Sequence, residues 1–201
     1  MTNRFTVLGI GGSPRAGSTS ERALRISLEA AERRGARTDL ITGPELDLPL
    51  YDPRTPVRTP RARHLVQRIA KADGIILATP AYHGTVSGLV KNVLDYVEDL
   101  RDDPRPYFTG RAVGCLAVGQ GWQGAVTALA ALRTTTHALR GWPTPLGVPV
   151  NTETGVFRDT ERCSDPGTEV QLGILGDQVV EFAQMYKALE AARLVGAAAA
   201  G

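Results

Sequence analysis

The chain reads as an α/β protein, a doubly wound five-stranded parallel sheet with helices on both faces. Three observations predict it. Apolar, strand-like runs alternate with helical segments five times along 201 residues. One run, Gly74-Ile-Ile-Leu-Ala-Thr79, lacks polar alternation, as a strand buried on both faces does. The first run opens into a small-residue loop and then a helix, which leaves free backbone N–H groups at the carboxyl end of a strand.

The elements follow in order. Phe5–Ile10 is the first strand, and Ser20–Arg34 the helix after it. Arg37–Ile41 is the second strand. Pro44, Pro49, Pro53, Pro56 and Pro60 then make residues 44–60 an irregular connection. Arg61–Ala72 is a helix, and Gly74–Thr79 the buried third strand. Ser87–Leu100 carries Leu89, Val90, Val93, Leu94, Val97 and Leu100 at helical spacing. That stripe is broad for a helix covered on one side only. Lys91 and Asp95 are spaced for an i,i+4 pair on its polar face. Ala112–Val118 is the fourth strand, Gly124–Leu139 a helix, and Pro145–Val150 the fifth strand. Residues 151–167 form a polar excursion before a last helix, Glu169–Leu194. Nothing marks an internal linker, so residues 1–195 form one domain, followed by an Ala/Gly tail at 196–201.

The bulk properties narrow the function. Net charge is +2, and no Lys/Arg block of five or more occurs, so no nucleic acid partner is expected. No apolar run reaches membrane-spanning length, and Phe5–Ile10 is too short for a signal peptide core. The expected compartment is the cytoplasm. The two cysteines, Cys115 and Cys163, match no metal-site spacing, and no metal is expected.

The segment Gly9-Ile10-Gly11-Gly12-Ser13-Pro14-Arg15-Ala16-Gly17-Ser18-Thr19-Ser20 is the most specific chemistry in the chain. Helix N-termini favour anions through free N–H groups and the helix dipole. Here Ser13, Ser18, Thr19 and Ser20 add hydroxyl donors, and Arg15 adds a permanently charged fork. The dinucleotide pattern starts at Gly9 and Gly11 but meets Pro14 at its third glycine. The P-loop pattern fits Gly12 and Gly17 but has Ser18 in place of lysine. A terminal monophosphate suits the loop better than a pyrophosphate. The plain alternative is a helix cap, since Ser18 and Glu21 also fit a capping box.

Two further loops belong at the carboxyl ends of strands. In Thr79-Pro80-Ala81-Tyr82-His83-Gly84-Thr85, backbone N–H groups can meet the edge of a flat polar ring, and Tyr82 can pack beside it. His83 can donate to a ligand or be simply solvated. Gly119-Gln120-Gly121-Trp122-Gln123-Gly124 combines backbone access, amide contacts and a large flat wall. A monophosphate, a flat polar ring and a doubly wound sheet converge on FMN. No general acid or base is named, because such a cofactor carries the chemistry itself.

Gly12-Ser13-Pro14-Arg15-Ala16-Gly17-Ser18, with Thr79-Pro80-Ala81-Tyr82-His83-Gly84 and Leu89-Val90-Lys91-Asn92-Val93-Leu94-Asp95-Tyr96, resembles the NAD(P)H-dependent FMN reductase family of flavodoxin-like proteins. The likeness runs through roughly residues 4–150. It implies that Ser13, Arg15, Ser18 and Ser20 hold the FMN phosphate. It implies that Pro80, Ala81, Tyr82, His83, Gly84 and Thr85 line the isoalloxazine edge, and that Gly119, Gln120, Gly121 and Trp122 flank the ring. Where the family often has Asn-Gly after the tyrosine, this chain has His83-Gly84. The resemblance further implies a homodimer or homotetramer, with the helix from Ser87 in the interface. The implied activity is hydride transfer from NAD(P)H to FMN. Reduced flavin would then go to a partner monooxygenase, or a second small acceptor such as a quinone or azo compound would be reduced. A flavodoxin-type one-electron carrier and a flavin-free binding module are the alternatives.

Overall fold

The computed structural model describes residues 5–157 and 163–199; Met1 to Arg4, residues 158–162 of the expected excursion, and residues 200–201 of the expected tail lie outside it. The strands are β1 Thr6–Gly11, β2 Arg37–Ile41, β3 Gly74–Tyr82, β4 Thr85–Val86, β5 Ala112–Gly119, β6 Trp142–Pro143 and β7 Val148–Asn151. The helices are α1 Thr19–Arg33, α2 Pro60–Lys71, α3 Gly88–Asp95, α4 Trp122–Ala138 and α5 Pro166–Ala199.

Hydroxyl caps start three of these helices. Ser18, Thr59 and Ser87 accept hydrogen bonds from the backbone N–H groups of Glu21, Ala62 and Val90. Each such cap is worth about 1 kcal/mol. Alternation along the strands then divides the core. Leu8, Ile10, Ile75, Leu77, Val113 and Cys115 meet α2, α3 and α4 on one face. Val7, Ile76, Ala78, Leu116 and Val118 meet α1 and α5 on the other. The sheet is doubly wound, as expected.

The sheet order is β2-β1-β3-β5-β6, with β7 also pairing to β5 and β4 to β3. All pairings are parallel except β3 with β4. This is the flavodoxin-like order 2-1-3-4-5, with one correction to the expected five strands: seven are present among the described residues. The fifth position is split, β6 lying against Ala112–Val113 and β7 against Leu116–Gly119. Pro145 and Gly147 interrupt it, so the expected strand Pro145–Val150 holds only from Val148. The added β4 is a two-residue return paired to the end of β3.

Other boundaries shift for local reasons. Pro80 sits inside β3, which runs on to Tyr82. The helix expected over Ser87–Leu100 is α-helical to Asp95 and continues as a 3-10 turn, Tyr96–Leu100. Its stripe is absorbed within the chain: Val90, Val93, Leu94, Val97 and Leu100 are all buried, and Leu89 is half-buried. The breadth of that stripe therefore gives no evidence for a partner chain. Lys91 and Asp95 do pair, at 2.5 Å.

The charged, proline-rich stretch before β5 is tied down by Arg111. Its guanidinium is fully buried and donates to the carbonyls of Ala70, Ala72, Tyr107 and Thr109. Burial pulls its pKa down to about 10. Carbonyls at the end of α2 balance the charge, since a helix C-terminus carries partial negative charge. Phe108 is buried beside it and donates its N–H to Leu139.

A candidate nucleotide crevice at the carboxyl edge of the sheet

The crevice begins where β1 ends. Gly11 has φ +146°, and a Cβ there would lie 2.0 Å from the Ala78 carbonyl oxygen. Only glycine lets β1 turn outward this close to β3. Gly12 then donates its N–H to the Ala78 carbonyl at 3.3 Å. The loop closes on α1 through a capping box of modified form. Ser18 accepts from the Glu21 N–H at 3.3 Å, and Glu21 in turn accepts from the Gly17 N–H at 3.0 Å.

The capping reading of Ser18 and Glu21 is thus correct, and it leaves hydrogen-bond donors over. The first-turn N–H groups of Thr19 and Ser20 have no acceptor inside the helix. Ser20 Oγ lies 3.3 Å from Ser18 Oγ, and both residues are buried. The Glu21 carboxylate is matched by Arg25 at 2.7 Å. Arg15 is exposed and forms no ion pair among the described residues.

One cleft of about 160 Å³ collects the three loops: Ser13, Arg15, Ser18, Thr19 and Ser20 from the first, Pro80 and Tyr82 from the second, Gly119 and Gln120 from the third. Val118 and Thr152 complete the lining. The donor set fits a phosphomonoester: hydroxyls, helix N–H groups and one unpaired guanidinium, with Tyr82 at the rim.

Six of the expected residues do not line this cleft. His83 and Gly84 are the two central residues of the β3–β4 hairpin, with φ of 52° and 77°. A hairpin turn with both central φ values positive favours Asn-Gly, and histidine tolerates this region better than most residues. Turn geometry is therefore sufficient reason for a residue of this kind at position 83. Ala81 and Thr85 belong to the hairpin strands. Gly121 has φ 90° and precedes α4. Trp122 is the first residue of α4, not of a loop, and lines an adjoining cavity of about 310 Å³ with Asn151, Thr154 and Asp165.

Sequence reading missed the end of β7. Asn151 Oδ1 accepts hydrogen bonds from the N–H groups of Gly121 at 2.9 Å and Glu153 at 3.0 Å. Thr152 donates to the Gly119 carbonyl at 3.2 Å. Both residues stand at a carboxyl strand end, the one signal that could have found them. Neither thiol lines the cleft: burial pushes Cys115 up to about 11, against a lowering hydrogen bond with Thr136, and also raises Cys163. No cluster of metal-ligating side chains occurs among the described residues.

Comparison with known proteins follows these features. The family model for NADPH-dependent FMN reductase matches residues 5–154. An NADPH azoreductase of Bacillus sp. is 37% identical over 84 residues, covering 41% of this chain and 44% of the relative. An NADPH FMN reductase of Pseudomonas putida is 34% identical over 94 residues, covering 46% and 47%. The chain thus spans about half the length of the curated relatives it matches. Among solved structures, the NAD(P)H:acceptor oxidoreductase FerB of Paracoccus denitrificans superposes with a TM-score of 0.68 at 22% identity, over 90% of this chain and 98% of that one. At that identity the likeness concerns the fold.

Proposed function

Since this chain belongs to the NADPH-dependent FMN reductase family, we propose that it is an NAD(P)H-dependent FMN reductase, an oxidoreductase with FMN as its cofactor or flavin substrate. The observation that carries the reading is the shared cleft: residues from three separated loops meet there, and Arg15 has no protein carboxylate among the described residues.

When bound, FMN supplies two-electron chemistry, accepting reducing equivalents from NAD(P)H and releasing them to a second acceptor. The chain supplies the holding groups. Arg15, the hydroxyls of Ser13, Ser18, Thr19 and Ser20, and the start of α1 hold the phosphate. Pro80, Tyr82, Gly119 and Gln120 bound the rest of the cleft, while the hairpin residues Ala81, His83, Gly84 and Thr85 shape its rim. Gly121 fastens the third loop to Asn151, and Trp122 opens α4 directly after it. No side chain is assigned as catalytic acid or base.

The second acceptor is free flavin, delivered reduced to a partner monooxygenase, or a quinone or azo compound. The name of the Bacillus relative supports the azo class. The exposed side chains of Tyr82, at the cleft, and of Trp122 and Val126, on α4, support a homodimer or homotetramer. No helix among the described residues is long and apolar enough to cross a membrane, and our reading places the single domain, residues 1–195, in the cytoplasm.

Steady-state oxidation of NADH and NADPH, with FMN, FAD, riboflavin, a quinone and an azo dye as acceptors, tests the function. Turnover well above that of free FMN is expected. A protein that neither binds FMN nor oxidises either nicotinamide overturns it and favours a flavin-free module.

A further inference from the structure

A second cavity, of about 370 Å³, lies at the far end of the same sheet. Its floor is the start of β5 and the short strand β6, and α5 forms one wall. The cleft described above lies by Val118 and Gly119, whereas this one touches Ala112. At about 3.3 Å per residue, the two are roughly 20 Å apart along β5. They share no lining residue.

Its lining is aromatic and apolar on most sides. Trp142, Phe182, Met185 and Pro143 contribute, and Trp142 and Met185 remain 60% and 58% exposed. The rings form a fixed row. Trp142 and Phe182 have centroids 5.7 Å apart, and Phe182 stacks on Tyr186 at 6.1 Å with planes 13° apart. Tyr186 is seated over Gly110, where a Cβ would lie 2.5 Å from its ring. The backbone N–H of Trp142 donates to the Arg111 carbonyl at 3.0 Å, which fixes the residue beside β5. Phe182 and Tyr186 are therefore held in place before any ligand arrives.

The polar side chains are few, those of Thr144, Gln178 and Glu181. Gln178 uses its Oε1 to accept from the Leu146 N–H at 3.0 Å, which leaves its NH₂ to donate. Glu181 is the one charged side chain lining the cavity. It forms no ion pair among the described residues: Lys187, on the same helix, is committed to Asp73, and Arg34 approaches Asp177. A pocket of this volume with aromatic walls and a few convergent polar groups is the usual form of a small-molecule site. Tryptophan faces attract organic cations, and a nearby carboxylate adds to that attraction.

We propose that this cavity is a second ligand site, for a flat aromatic cation: the ring lies against Trp142 and Phe182 and the ammonium faces Glu181. The assignment does not depend on the flavin function. Calorimetric titration of 1-naphthylmethylammonium into the full chain, with and without saturating FMN, tests it. Naphthalen-1-ylmethanol serves as the neutral control, and Glu181→Gln and Trp142→Ala as variants. One site is expected, with the same affinity in FMN-saturated protein. Affinity should fall five- to tenfold for the alcohol and for Glu181→Gln, and binding should be lost in Trp142→Ala, whose thermal midpoint reports that it has folded. Three results overturn the proposal: no binding at millimolar probe, equal affinity for amine and alcohol, or loss of binding when FMN is added. So does a solution dimer that Trp142→Ala dissociates, which would make the surface a contact between copies of this chain.

Discussion

Asn151 Oδ1 accepts the Gly121 N–H at 2.9 Å and thereby ties the third crevice loop to the end of β7. Two backbone donors lose their acceptor in Asn151→Ala. We expect FMN affinity to fall roughly five- to thirtyfold, the equivalent of about 1–2 kcal/mol. Asn151→Asp keeps the acceptor and should recover most of the loss. Fluorescence titration of FMN against both variants checks this. Equal affinities for Ala and Asp would show that acceptance by this oxygen does not position the loop.

Arg15→Ala should weaken FMN binding on the order of ten- to a hundredfold, because a charge-assisted contact is lost. Riboflavin lacks the phosphate and should bind both proteins alike. The titration of the two flavins against the two proteins separates a phosphate contact from a general loosening.

At the hairpin, His83 holds φ 52° in a two-residue turn. His83→Asn should leave stability equal or slightly higher. His83→Val should cost about 1–2 kcal/mol, since a β-branched residue resists that conformation. Thermal melts distinguish the pair, and a turn role predicts no difference in FMN affinity between wild type and His83→Asn.

Arg68 donates to Asp39 at 2.5 Å from across the end of α2, and Glu45 accepts from the same guanidinium at 2.9 Å. The hydrogen bonds from Arg68 hold the Asp39 carboxyl below its ordinary value of 3.8, with burial opposing them. A carboxyl depressed in the folded state stabilises above the unfolded pKa and ceases to do so as pH falls through the folded one. Stability should therefore decline as pH drops below about 4. Arg68→Met should flatten that acid limb and lower stability at neutral pH, as urea unfolding between pH 2.5 and 7 will show.

Arg111→Met strips the donors from carbonyls that are buried at the end of α2 and in the stretch before β5. A loss of about 3 kcal/mol is expected, or roughly 6–12 °C in thermal midpoint for a chain of this size. Arg111→Lys should recover only part, because an ammonium cannot span the separated acceptors. Calorimetry on the two variants measures both numbers.

The alternation of elements was legible because each obeys its own period. Gly74 to Thr79 shows no polar side, and Ser18, Thr59 and Ser87 mark helix starts by their hydroxyls. The loop after β1 was legible as a lining of the crevice because glycines and hydroxyls crowd a strand end. The split at β6 and β7 was not, because a proline and a glycine within an apolar run fix no register by themselves. The roles of Asn151 and Thr152 depend on the pairing of β7 with β5, which sets Asn151 against Gly119 and which no local pattern encodes. Arg111 was equally hidden, as its partners come from α2 and the preceding loop. At His83 a turn preference and a binding preference select similar residues, so its pattern alone left a ligand contact and a solvated side chain both open.

The division of the fifth strand position has a consequence for how this chain meets other chains. Pro143, Pro145 and Pro149 lack N–H groups, and β6 and β7 are two and four residues long. That border of the sheet offers an incoming strand no continuous row of donors. The opposite border is β2, which begins Arg37-Thr38-Asp39 and so places charge where a flat apolar ribbon would invite pairing. Sheet extension is thus discouraged at both of these borders. An assembly of folded copies built from helices and hairpins instead would vary with substitutions on those surfaces rather than with strand register.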